Sequence, residues 1–256
     1  MIVLTGLALA AALMAPGAQA TVTAADLKAM HLEVVPCRAH NAAQEAADLA
    51  LASDALEVMQ KHDLPGVDKM MPDLRAAFNR APDVGAAPEL CGDKVTFYSD
   101  DSTAMLVLSG AINSGTIPGA RTVEQHEGLP YGVLGFVIGW IEFEHKDYAS
   151  AANDYAKGLK NSPNLPSLES EYVLTLSLLG RNQEALQSIE TFLADNPGLG
   201  DHDHANLLRK RGYVLVELKR WDDAATAYKD SLKIEPDNDL AKSELDYIAK
   251  QGGAKS

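Results

Sequence analysis

Few stretches of this sequence carry residue types able to do chemistry. Asp201-His202-Asp203-His204 offers the imidazole and carboxylate groups that hold transition metals. Consecutive residues point in different directions, however, so a ligand set would require the loop to wrap the ion. Asp203 is read instead as the N-cap of a helix, with its neighbours solvated. Gly110-Ala111-Ile112-Asn113-Ser114-Gly115-Thr116 has the glycine spacing of a phosphate-cradling loop but lacks the lysine that neutralises phosphate, so a turn leaving a strand accounts for it better. Asp100, Asp101 and Ser109 mark where an enzyme or small-ligand pocket would have to form. His31, His40, His62, His126 and His145 are scattered, with no visible Ser/His/Asp or Cys/His arrangement. No catalytic residue, metal ligand or cofactor is assigned.

The remaining chemistry is that of Cys37 and Cys91, the chain's two cysteines. In an oxidising compartment they are expected to pair, closing a loop worth about 4 kcal/mol by the chain-entropy model. In a reducing one they would be small buried hydrophobes. No Cys-x-x-Cys redox motif is present. The compartment is indicated by residues 1–20: an uncharged apolar run from Ile2 to Ala15, then Pro16-Gly17 and the small-x-small sequence Ala18-Gln19-Ala20. This reads as a signal peptide cleaved after Ala20, giving a periplasmic or secreted protein with no further membrane-spanning segment. An uncleaved anchor is the competing expectation. The 256 residues carry a formal charge of −14, spread over both halves, which argues against nucleic acid as a partner.

Residues 21–130 read as a mixed region. Asn41–His62 has helical spacing, with Ala46, Leu49, Ala50, Leu56 and Met59 available for one face, and a second helix is expected from Val67 to Phe78. Lys94–Ser99 and Thr103–Leu108 alternate as two strands of a β-hairpin, with Glu33-Val34-Val35 as a possible third strand.

From residue 131 the sequence repeats. Pro163, Pro197 and Pro236 close successive segments, 34 and then 39 residues apart, the longer interval holding an insertion at 198–202. Twelve positions before each proline stands an alanine: Ala151, Ala185 and Ala224. Four later comes Tyr155, Ile189 or Tyr228. Gly139 matches Gly212, and Tyr148 matches Trp221. Small residues let two helices approach, large ones fill the gap beside them, and proline ends the second helix.

This punctuation resembles the tetratricopeptide repeat, a helix-turn-helix unit of 34 residues. The resemblance implies three repeats at about 132–165, 166–199 and 205–238, a capping helix to residue 250, and a polar tail at 251–256. Glu142 and Val173 depart from the family pattern. The fold expected is mainly α: a C-terminal α-α superhelix preceded by a small α+β region with a β-hairpin.

The resemblance further implies a concave groove for a protein or peptide ligand. Its lining would be Val133, Phe136, Trp140 and Phe143, then Ser170 and Leu174, then Asn206, Arg209 and Tyr213. Phe136, Trp140 and Phe143 could equally pack against the N-terminal region. Of the carboxylate-gripping residues of some family members at most a fragment is matched, because Phe136 and Trp140 stand at two of those places and Glu171, Asn206 and Lys210 at the later ones. The function expected is a binding scaffold or assembly factor in the cell envelope, not an enzyme. The rival is an enzyme or small-ligand domain in residues 21–130 with the repeats as its docking arm.

Overall fold

The computed structural model describes residues 21–83, 85–99 and 102–252. The expected signal segment, Asp100, Asp101 and the last four residues lie outside this range.

Helix α1 (Ala24–Ala29) opens on a capping box in which Thr23 and Asp26 satisfy each other's backbone N–H. It is followed by strand β1 (Val35–Pro36) and by two antiparallel helices, α2 (Ala42–Gln60) and α3 (Leu64–Phe78). Asn41 and Asp63 cap these helices through their side-chain oxygens. The fully buried stripe of α2 is Asp48, Ala52 and Ala55; of the expected face, Leu56 and Met59 pack against the core, while Ala46 and Ala50 are exposed. A carboxylate lies in that stripe because Arg80 donates to both Asp48 oxygens from 2.9 and 2.5 Å.

Strands β2 (Glu89–Cys91) and β3 (Lys94–Tyr98) form an antiparallel hairpin around Gly92-Asp93, where Gly92 takes φ 71°. The hairpin therefore exists, but its partner strand precedes residue 94. Thr103–Leu108 is not a strand; it belongs to helix α4 (Ser102–Asn113). Ala104, Val107, Leu108 and Ala111 are all fully or nearly fully buried, the i, i+3, i+4, i+7 stripe of a helix laid on a sheet. The run lacks true alternation and continues apolar through Ile112, too long for its short expected strand. The Gly110–Thr116 segment is thus the end of a helix, with Gly115 at φ 71°. A helix C-terminus presents carbonyl oxygens, which repel phosphate.

Strand β4 (Thr122–His126) pairs in parallel with β3, and β1 in parallel with β2, giving the order β1-β2-β3-β4. Val22, Leu27, Leu32, Val95, Phe97, Val107 and Leu108 form the core of this small α/β unit. Cys37 and Cys91 are disulfide-bonded, tying the segment before α2 to the sheet formed after α3.

Helices α5 (Tyr131–Glu144), α6 (Tyr148–Asn161), α7 (Pro166–Leu178), α8 (Asn182–Asp195), α9 (Asp201–Glu217), α10 (Trp221–Ile234) and α11 (Asp239–Gly252) complete the chain. Helix α9 starts at Asp201 with Gly200 at its cap, so Asp203 lies inside the first turn and is not the cap. The inserted residues lengthen this helix instead of only its loop.

The pair α2–α3 is built like the three pairs that follow. Each connecting turn has one residue with positive φ: His62 (55°), Lys146 (63°), Gly180 (74°) and Lys219 (59°). The residue after each closes the same bond back to the preceding helix, as in Asp63 N–H to Val58, Asp147 to Glu142, Arg181 to Leu176 and Arg220 to Leu215. Eight and five positions before Pro82 stand Leu74 and Ala77, both buried, in register with Tyr155 and Gly158 before Pro163. Among the described residues the array therefore comprises four helix pairs, with most of the α/β unit inserted between the first and second.

Candidate functional site

Helices α2, α5, α7 and α9 contact one another in sequence and form one layer, each backed by its own partner helix. Close approach within a pair depends on glycines, among them Gly139 and Gly212. A Cβ on Gly139 would lie 2.4 Å from the Tyr155 ring, and one on Gly212 would lie 2.8 Å from Tyr228. Ala151, Ala185 and Ala224 are fully buried at the matching contacts.

No protein-family model matches the chain. A curated relative, small glutamine-rich tetratricopeptide repeat-containing protein 2 of Mycosarcoma maydis, is 25% identical over 111 residues. That match spans 43% of this chain and 30% of the relative's length. A tetratricopeptide repeat protein of Parabacteroides merdae superposes with a TM-score of 0.50 at 15% identity, over 82% of this chain and 61% of its own. The first repeat domain of Spaghetti, solved with an HSP90 peptide, gives a TM-score of 0.43 at 22% identity, covering 48% of this chain and 93% of that domain. This chain carries a tetratricopeptide-repeat array.

Within the repeat array the proposed groove residues have unlike surroundings. Val133, Phe136 and Trp140 pack against the core formed by α2, α3 and α5. Phe136 and Phe143 also border Ala151, Tyr155 and Leu168, and Phe143 meets the Tyr148 ring edge-on at 5.2 Å. The first helix pair thus covers part of the expected aromatic wall at Val133, Phe136 and Trp140, and these three and Phe143 all stay half-exposed. Arg209 is 8% exposed and donates to Glu235 at 2.6 Å, so the basic far wall is neutralised. Ser170 is buried and accepts a hydrogen bond from Asn206 at 3.2 Å.

Leu174 and Tyr213 remain half-exposed at equivalent places on α7 and α9. One turn beyond Leu174, Leu178 is 44% exposed. Neither leucine joins a packed core cluster. Exposed Glu144 and Glu217 occupy the places of Leu178 in the neighbouring repeats. The open part of the repeat surface is therefore apolar with acidic flanks.

The other candidate chemistry is structural. Among the described residues, Cys37, Glu89 and Cys91 form the one group close enough to suggest a metal site, and its sulfurs are bonded to each other. Fully buried Glu89 accepts from Arg38 at 2.7 Å and lies 2.9 Å from His40, which stacks on Tyr98 at 4.5 Å. Both nitrogens of His40 face carboxylates, Glu89 and Glu45. Burial opposes its protonation, but these two partners outweigh that and raise its pKa. Ser109 donates to the Met105 carbonyl of its own helix at 2.8 Å. His202 lies against Glu235 at 2.7 Å in the first turn of α9.

Glu142, the departure from the family pattern, sits at the joint between the first two pairs. Arg75 of α3 contacts both Glu142 and, at 2.7 Å, Asp154 of α6. One guanidinium faces two carboxylates, so the pair retains a proton. Burial, then contact with Asp154, pushes the Glu142 carboxyl up to about 8. The folded protein thus binds a proton that the unfolded chain releases at lower pH. The associated stability is complete below the ordinary Glu value of 4.5 and is lost as pH rises through about 8. Glu142→Gln cannot ionise and is expected to match wild type in acid and to exceed it in mild alkali. Urea midpoints across that window check this; parallel curves for the two proteins would refute it.

Proposed function

We propose that this protein is an exported scaffold of the cell envelope whose repeat array binds a peptide segment of another protein. The observation that carries the proposal is the pair Leu174 and Leu178, large apolar side chains on a first helix that the fold leaves outside its core, beside Tyr213. Exposed apolar side chains flanked by polar ones are characteristic of protein-interaction surfaces. The acidic flanks favour a segment with apolar anchors and basic neighbours over an acidic C-terminus. Export is supported by the apolar leader in the sequence and by the Cys37–Cys91 bond. Among the described residues no helix is long and apolar enough to cross a membrane.

A displayed peptide library panned on the full chain is expected to enrich apolar-basic segments. Affinity for an enriched peptide, read by fluorescence polarisation, should fall at least about tenfold in Leu178→Asp and in Leu174→Ser. Both sites lie outside the core, so the variants should fold as wild type does. Unchanged affinity in both would overturn the proposal, as would failure of any peptide to enrich.

A further inference from the structure

A second recess lies away from that surface, between the α/β unit and the repeat array. Its volume is about 1060 Å³, at the upper end of small-molecule sites. Met30 and Leu32 line one side, while Leu159, Leu165 and Phe192 line the other. The units meet around it through a backbone bond from Ala86 N–H to the Lys160 carbonyl (3.3 Å) and through His31 and Asp195 (3.4 Å).

The charges in this cleft are one-sided. Glu127, Glu169, Glu184 and Asp195 line it, and among the described residues no lysine or arginine does. Glu169 is the informative member: it is 1% exposed, and among the described residues its carboxylate accepts from the Ser188 hydroxyl at 2.7 Å and faces no cation. The matching places in the neighbouring repeats, 28 positions before the closing proline, hold Gly135 and Leu208, so the repeat register does not itself require a carboxylate here. A carboxylate buried beside an apolar cavity is stabilised by a positive group brought in from outside.

We propose that this cleft binds a small organic cation, an ammonium group on an apolar body, with the ammonium held at Glu169 and the body between Leu159, Leu165 and Phe192. The Glu169 carboxyl is pushed up to about 7 by burial, so binding a cation releases its proton. Affinity therefore rises as pH increases through about 7. Other titratable groups facing the cleft are Glu184 and Asp195 on α8, Tyr172 on α7 itself, Tyr98 on β3, and His31 and Glu127 on the connecting segments.

The test is calorimetry on the full chain with octylammonium, and with octanol and octanoate as neutral and anionic counterparts of the same length. Octylammonium is expected to bind roughly tenfold more tightly than octanol, and octanoate more weakly than either. In Glu169→Gln the preference for ammonium over octanol should disappear, along with the rise in affinity with pH. His31→Gln should keep both, which separates Glu169 from the histidine that also lines the cleft. Ala156→Trp, at an exposed position lining the cleft, should abolish binding of both octylammonium and octanol while leaving the unfolding midpoint unchanged. Equal binding of octylammonium and octanol to wild type would overturn the proposal. So would an ammonium preference that survives in Glu169→Gln.

Discussion

Tyr155→Ala is expected to lose about 3–5 kcal/mol of stability, the range for emptying a large aromatic site in a core. The ring is fully buried and lies across Gly139, at a spot no Cβ could share. Removing it opens the second helix pair from within, and the repeats on either side lose the surface they stack on. Tyr155→Phe should act in the opposite direction. The Tyr155 hydroxyl is buried and has no hydrogen-bond partner, and burial pushes its pKa up, so it stays neutral. Relieving an unsatisfied buried hydroxyl is expected to stabilise by about 1 kcal/mol. Chemical denaturation of both variants separates the contributions. If phenylalanine destabilises as alanine does, the hydroxyl and not the ring holds the pair together.

The second large effect is expected when Cys37 and Cys91 are both replaced by alanine. Opening a loop with a sequence separation of 54 should cost about 4 kcal/mol. The loss should appear first at the sheet. Strand β1 has two paired residues, and its attachment otherwise depends on Arg38 and His40 holding Glu89. Amide exchange should therefore accelerate at Val35 and Leu90 before it does so in the helices. A stability change under about 1 kcal/mol would show that the Glu89 network suffices without the covalent link.

How much of this was legible depended on which interactions set each residue. The three C-terminal pairs announce themselves because their helix contacts are local and recur on a fixed spacing. Ala151, Ala185 and Ala224 mark one contact and the closing prolines another. The first pair carries the same ending at Leu74, Ala77 and Pro82, but Met70 replaces the alanine and Pro72 stands inside the helix, which hides the period. Without α2 and α3, the stripe Val133, Phe136, Trp140 looks like an open wall; with them, it is partly covered. Arg209 reads as open for a related reason, since its neutralising partner Glu235 stands at the far end of the next helix, as its C-cap. The first turns of helix α4 read as a strand because the run from Thr103 to Leu108 is apolar in a manner common to both elements, and the sheet that decides between them is assembled from distant segments. Glu169 was invisible as a site, because nothing in its neighbourhood in sequence indicates burial without a counter-charge.

The disulfide also has a mechanical consequence. Cys37 and Cys91 enclose helices α2 and α3, so an entire repeat lies inside a covalent ring. If the chain is drawn out from its two ends, force passes through the sulfur–sulfur bond and bypasses that ring. Roughly 180 Å of contour would stay hidden until the bond is reduced. The first helix pair is thus sheltered from tension that would unravel the other three, and a pulling experiment with and without reductant should reveal the missing length as one discrete step.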